Sequence, residues 1–176
     1  MDFSDRLAQD RAKLVSGWAD LILGTYPPET QAVWRKQTDR FANPVGMAIL
    51  EAAQDVFDAF LAWDDAEQVA GALEALVRIR SVQNFKPSQA LCFVYLLKKV
   101  LRDAYMKELA ESGELAELMA METRIDNMGL IAFDLYSKTR EQIFSLRVEE
   151  VKRAQYNLLR RARMIVDSPA AGADER

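Results

Sequence analysis

Apolar residues recur at intervals of three and four along most of this chain, the pattern of helices with one buried face. After Ser4, which suits an N-cap, Leu7, Leu14, Val15, Trp18, Leu21 and Ile22 keep that spacing as far as Gly24 and predict a first amphipathic helix. TYPPETQAVWRKQ puts two prolines at a turn and a helix start, with Ala32, Val33 and Trp34 giving one or two further turns an apolar face. Asn43 fits an N-cap and Pro44 the N1 position, where a missing N–H costs nothing. Val45, Ile49, Ala52, Val56, Phe57 and Phe60 then form a core-facing stripe. Asp64 and Asp65 break it and can cap the next helix, whose inner face is Val69, Leu73, Leu76 and Val77.

Pro87 opens a further helix through Leu91, Val94, Leu97, Leu101 and Tyr105 that ends near Gly113. Phe93, Leu96 and Val100 widen its apolar surface to most of the circumference, so it should lie centrally. Gln89 can reach back to a free backbone N–H at its start, and Phe85 can staple onto its first turn. From Glu114 to about Val166 there is no proline, and Gly129 is the sole glycine. An unbroken helix of that length would measure on the order of 80 Å, longer than a compact domain of this size can cover. It must bend, or its C-terminal part must find a partner. The tail DSPAAGADER, 167–176, is small and polar and should be disordered. No strand-like alternation or repeat is present. The pattern predicts an all-α single domain over 1–166, a bundle of about five to six helices with a long C-terminal helix.

Composition narrows the chemistry. Of 176 residues 50% are apolar and 28% charged, enough to bury a core, and 23 Lys+Arg against 27 Asp+Glu give a formal charge of −4. No global cationic field draws the chain to nucleic acid or anionic lipid. The start MDFSDRLAQDRAKL lacks the apolar core of a secretory signal, and PSQALCFVYLL is too short to span a bilayer, so no membrane insertion is expected. The lone Cys92 cannot form an internal disulfide, which suits a reducing cytoplasm. Absence of histidine removes Ser-His-Asp and Cys-His nucleophiles, His-ligated haem or zinc, and phosphohistidine. No phosphate-cradling glycine loop is present either. The expectation is a protein without cofactor and without catalysis.

Six sets of residues remain as candidates. Arg78 and Arg80, with Gln83, Asn84 and Lys86, form either a polar corner for a small anionic ligand, Tyr95 contributing across an interior cavity, or carboxylate-paired residues that tie down a turn. Glu74 stands four residues before Arg78, in the favourable order for an ion pair. Cys92, inside an apolar run, reads as buried core. The acidic run Glu108, Glu111, Glu114 and Glu117 lacks calcium-loop spacing and reads as a solvated face. Met119, Met121 and Met128 with Ile125 suit core or a dimer seam. Lys152, Arg153, Arg160, Arg161 and Arg163 complement a helix C-terminus; the alternative is a basic contact for nucleic acid or an acidic partner, and too few interleaved aromatics beyond Tyr156 argue against nucleic acid. Val148, Val151, Leu158, Leu159, Ile165 and Val166 point instead to helix–helix contact.

FANPVG at 41–46, RIRSVQNFKPSQALCFVYLLK at 78–98, RIDNMGLIAFDLYSKTREQIFSLRVEEVKR at 124–153 and the Leu21 to Pro27 stretch together resemble the N-terminal domain of RsbRD-type proteins, RsbT co-antagonists of bacterial stress signalling. That resemblance implies a helical, haem-free, non-catalytic sensory module, globin-like and dimeric in related co-antagonists, with its last helix leading onward. The family's usual STAS domain has no counterpart here, which implies a stand-alone form acting through another protein. The leading expectation is a homodimeric regulatory module contacting another signalling or regulatory protein. Met128, Ile131, Leu135, Ile143, Leu146, Val151 and Leu158 are its interface candidates. The alternative is an anionic-ligand domain built on Arg78, Arg80, Gln83 and Tyr95.

Overall fold

A computed structural model describes residues 2–36, 43–83 and 85–162, and every regular element among them is helical. The side chains of Val33 and Trp34, residue Asn84, and the stretch from Arg163 that holds Ile165, Val166 and the tail lie outside the described residues. The elements are α1 (Phe3–Gln9), α2 (Arg11–Leu23), α3 (Pro28–Lys36), α4 (Pro44–Ala62), α5 (Ala66–Ser81), α6 (Pro87–Ser112) and α7 (Leu115–Arg161). The first expected helix is thus two. Its start is capped by Asp2 where Ser4 was expected, and it breaks at Asp10, whose carboxylate accepts the Tyr105 hydroxyl at 2.5 Å. That long-range bond takes hold where the local pattern alone would have run on.

Elsewhere the local signals set the boundaries. The Asn43 side chain accepts the Gly46 N–H at 2.9 Å ahead of Pro44, and Asp65 accepts the Gln68 N–H at 2.7 Å. Gln89 accepts the Lys86 N–H at 3.1 Å, and α6 stops at Gly113 in the left-handed conformation that glycine tolerates (φ 79°). Trp63 adopts the same conformation at the end of α4 (φ 49°), a cost of about 1–3 kcal/mol for a residue with a Cβ. Arg124 of α7 stacks over that indole at 5.7 Å and donates to the carbonyls of Phe60 and Leu61 at 3.4 Å, placing a cation at the negative end of α4.

The chain divides into two compact units, 1–139 and 140–176, and among the described residues all the buried ones belong to the first. There α2 packs on α4 and α6, and α5 on α4 and α6. The predicted stripes of α4 and α5 are buried as read, except Val45, which is exposed. Trp18 is fully buried and its indole N–H donates to the Phe93 carbonyl at 2.7 Å, tying α2 to the second turn of α6. Phe3 meets Tyr105 edge-on at 5.3 Å. Burial first, and the bond to Asp10 second, push the Tyr105 phenol well above its ordinary pKa. Within α7, Leu118, Met121, Ile125, Met128, Ala132 and Tyr136 enter the core. Arg102 grips Glu122 with two bonds of 2.5 and 2.6 Å, and Lys98 pairs with Asp126 at 2.7 Å, lacing α6 to α7. No described helix is long and apolar enough to cross a membrane.

Trp18→Phe should cost about 1–3 kcal/mol, because it removes the buried bond to the Phe93 carbonyl, which keeps only its helical partner, and leaves a gap; urea unfolding with an unchanged slope checks it. The Arg102 hydrogen bond holds the Glu122 carboxyl below the usual range. Its contribution is therefore complete above the ordinary glutamate value of about 4.3 and is lost as pH falls through the lower folded value. Melting temperatures across acid pH should fall less steeply for Glu122→Gln than for the parent chain.

Candidate functional site

Arg78 and Arg80 stand two residues apart on the last turn of α5, so the helix turns them to different sides. Arg78 is exposed and pairs with Glu74 at 2.7 Å, as its spacing predicts. Arg80 is only 1% exposed. Its guanidinium sits against the rings of both Tyr26 (5.1 Å) and Phe85 (4.7 Å), which themselves meet edge-on at 5.2 Å. Nε donates to the Ala90 carbonyl at 2.8 Å and Nη2 to the Gln89 carbonyl at 2.6 Å, joining the end of α5 to the first turn of α6. Among the described residues no carboxylate pairs with it, and Nη1 has no hydrogen-bond partner. Gln83 is part-buried, its Oε1 likewise buried without a partner. Two aromatic faces and two carbonyls thus do the work usually given to an acid in stabilising a desolvated cation.

Tyr95 is not part of that corner. It is exposed on α6 and lies against α7 at Gly129, where a Cβ would come within 2.9 Å of its Cζ. This contact explains the single glycine of α7. Tyr95 lines a shallow apolar groove with Pro87, Leu91, Cys92 and Phe133. Cys92 is therefore half-buried at a groove wall, which corrects the expectation of a core cysteine; its thiol donates to the Gln89 carbonyl at 3.2 Å. The periodicity could not place it, because α6 is apolar on nearly every side.

Along α7 the interface candidates separate by environment. Met128 is buried, and Ile131 and Leu135 pack on the core of their own unit. Ile143 is half-buried, whereas Leu146, Val151 and Leu158 are exposed. Met119 is exposed while Met121 and Ile125 are core. Residues 140–162 contain no buried residue, and Phe144 (69% exposed), Val151 (56%) and Leu158 (65%) stand in solvent. Lys152 pairs with Glu149 at 2.9 Å and draws its carboxyl below the ordinary value. Among the described residues no group of three or more potential ligands could hold a metal. The acidic run from Glu108 to Glu117 is solvated as expected, with Glu108 paired to Arg6 at 2.6 Å.

The model of the RsbT co-antagonist protein rsbRD N-terminal domain matches residues 12–151. The chain belongs to that family. No curated protein and no solved structure gives a significant match. The rsbRD N-terminal domain points to a regulatory or sensory role in stress signalling. Its match takes in the Arg80 corner, the Tyr95–Gly129 contact and the first exposed residues of 140–161, and stops at Val151. Sequence reasoning found both arginines but missed Tyr26 as the second wall around Arg80, since the two are far apart in the chain; the proline pair after Tyr26 was the only local sign of a fixed turn there.

Arg80→Ala should destabilise the bundle by about 3 kcal/mol, through the void and the lost aromatic and carbonyl contacts. Arg80→Lys should recover less than half of that, because an ammonium cannot fork between two carbonyls. Chemical denaturation of the three proteins gives the ranking.

Proposed function

We propose that this rsbRD N-terminal domain is a non-enzymatic regulatory module that acts by protein contact. Residues 1–139 form the body that receives a signal, and the helix over 140–161 is the surface offered to another signalling or regulatory protein in the cytoplasm. One observation carries this reading: more than twenty consecutive residues hold helical form and exposed apolar side chains without burying any of them in a core of their own. An isolated helix of that length is marginal in water unless an apolar face is covered. A shift between two placements of α7, biased by what binds the bundle, is the mechanism it supports.

In this reading the body also pairs with a second copy. Exposed Leu130 (67%) and Phe133 (55%) on α7, together with the groove beside Tyr95, support that self-contact. The alternative, a small anionic ligand at the Arg78/Arg80 corner, is supported by the unpartnered Nη1 of Arg80 and by the Gln83 acceptor left without a donor. Arg78 faces away from that corner.

Deleting 140–176 should leave the helical signal per residue and the folding cooperativity of the bundle intact while abolishing capture of the partner from native cells. A shortened chain that still captures the same partner overturns the reading. Phe133→Asp should lower the solution mass to that of one chain without loss of helicity. Intact-mass spectrometry of freshly purified protein tests the alternative, for which a retained anionic metabolite is required.

A further inference from the structure

Part of the apolar surface of 140–162 is ordered into a line, while Ile143, Leu146 and Tyr156 lie off it. Phe144, Val148, Val151, Gln155, Leu158 and Ala162 follow one another at steps of four and three, a heptad seam of alternating d and a positions. The positions flanking that seam are Arg147, Ala154 and Arg161 on one side and Ser145, Lys152 and Leu159 on the other. None is acidic. Of the three carboxylates of this stretch, Glu149 and Glu150 fall on the far side of the helix, and Glu141, one heptad before Val148, ends the seam just ahead of Phe144; the ion pair of Glu149 with Lys152 is exposed and therefore weak.

This arrangement selects among occupants. A second copy laid parallel would set Arg147 of one chain against Lys152 of the other, and one laid antiparallel would set arginine against arginine. Gln155 in the middle of the seam further weakens self-pairing. A membrane surface fits less well, because the seam is narrow, widening only where Leu159 adjoins Leu158, and carries that amide, where an interfacial helix needs a broad apolar face. The cations that repel a copy attract a helix whose flanks are acidic. Resting on the reading of 140–161 as the contact surface, we propose that its occupant is an amphipathic helix of a different protein, with a leucine- or isoleucine-type seam bordered by glutamate or aspartate, docked as a two-stranded coiled coil over Phe144, Val151 and Leu158.

Two synthetic three-heptad peptides test this on the full chain. They share one apolar seam and carry glutamate at every flanking position in one and lysine in the other. The glutamate peptide should bind at least about tenfold more tightly by fluorescence anisotropy at low salt, with the gap narrowing as salt is raised. The double variant Arg147→Glu with Lys152→Glu should reverse the order of the two peptides. Val151→Asp should abolish binding while the thermal unfolding of the bundle stays as in the parent chain. Equal binding of both peptides, or binding of neither, overturns the proposal. So does a fall in the chain's own solution mass on Val151→Asp, which would mean that a second copy sits on the seam, and so does Val151-dependent binding to phosphatidylserine vesicles. Failure of the peptides while deletion of 140–176 still abolishes partner capture removes the acidic-helix occupant alone. Partner capture that survives the deletion removes the contact surface itself.

Discussion

Helix α6 bears apolar side chains on most of its circumference, so it has to be covered from several sides at once, and polar ties fix how each neighbour covers it. Arg80 grips its first turn through the Gln89 and Ala90 carbonyls, and Trp18 the turn after it through the Phe93 carbonyl. Lys98 and Arg102 hold α7 along it, and Tyr105 reaches back to Asp10. Apolar burial supplies most of the stabilisation but has little direction. The hydrogen bonds, each worth about 1 kcal/mol net, supply direction: they set which face meets which neighbour.

Where a boundary is decided by the few residues around it, the sequence reads correctly. Asn43-Pro44, Asp65, Pro87 with Gln89, and Gly113 mark helix ends because caps and prolines act within one turn. Where distant residues decide, it does not. The break at Asp10 depends on Tyr105, ninety-five residues away. The separation of Arg78 from Arg80 follows from helix geometry, yet the pairing of Arg80 with Tyr26 needed the fold. Cys92 and Tyr95 sit at the edge of a face so broadly apolar that periodicity carries no information about which side is outermost.

The second unit inverts the logic of the first. In the bundle, charged residues were accommodated by carbonyls, aromatic faces or carboxylates of the same chain. Along 140–161 the apolar residues themselves lack cover, and the charged residues flanking the line from Phe144 to Leu158 are of one sign. A surface with an apolar centre and same-sign edges carries more discrimination than affinity, since the edges reject as well as attract. That is the character expected of a regulatory contact, which has to be selective and reversible.

Gly129 has a consequence for how such a domain could move. Because the Tyr95 ring rests on bare backbone there, sliding α7 by one turn along α6 would replace the glycine with Ile125 or Phe133 and drive a bulky side chain into the phenol. The part that can give is the phenol, the free end of a half-exposed side chain, so a shift of α7 between two placements goes with a swing of Tyr95. Motion that leaves Tyr95 in place is limited to small tilts about that point; anything larger has first to swing the tyrosine out into solvent, where its fluorescence would announce the step.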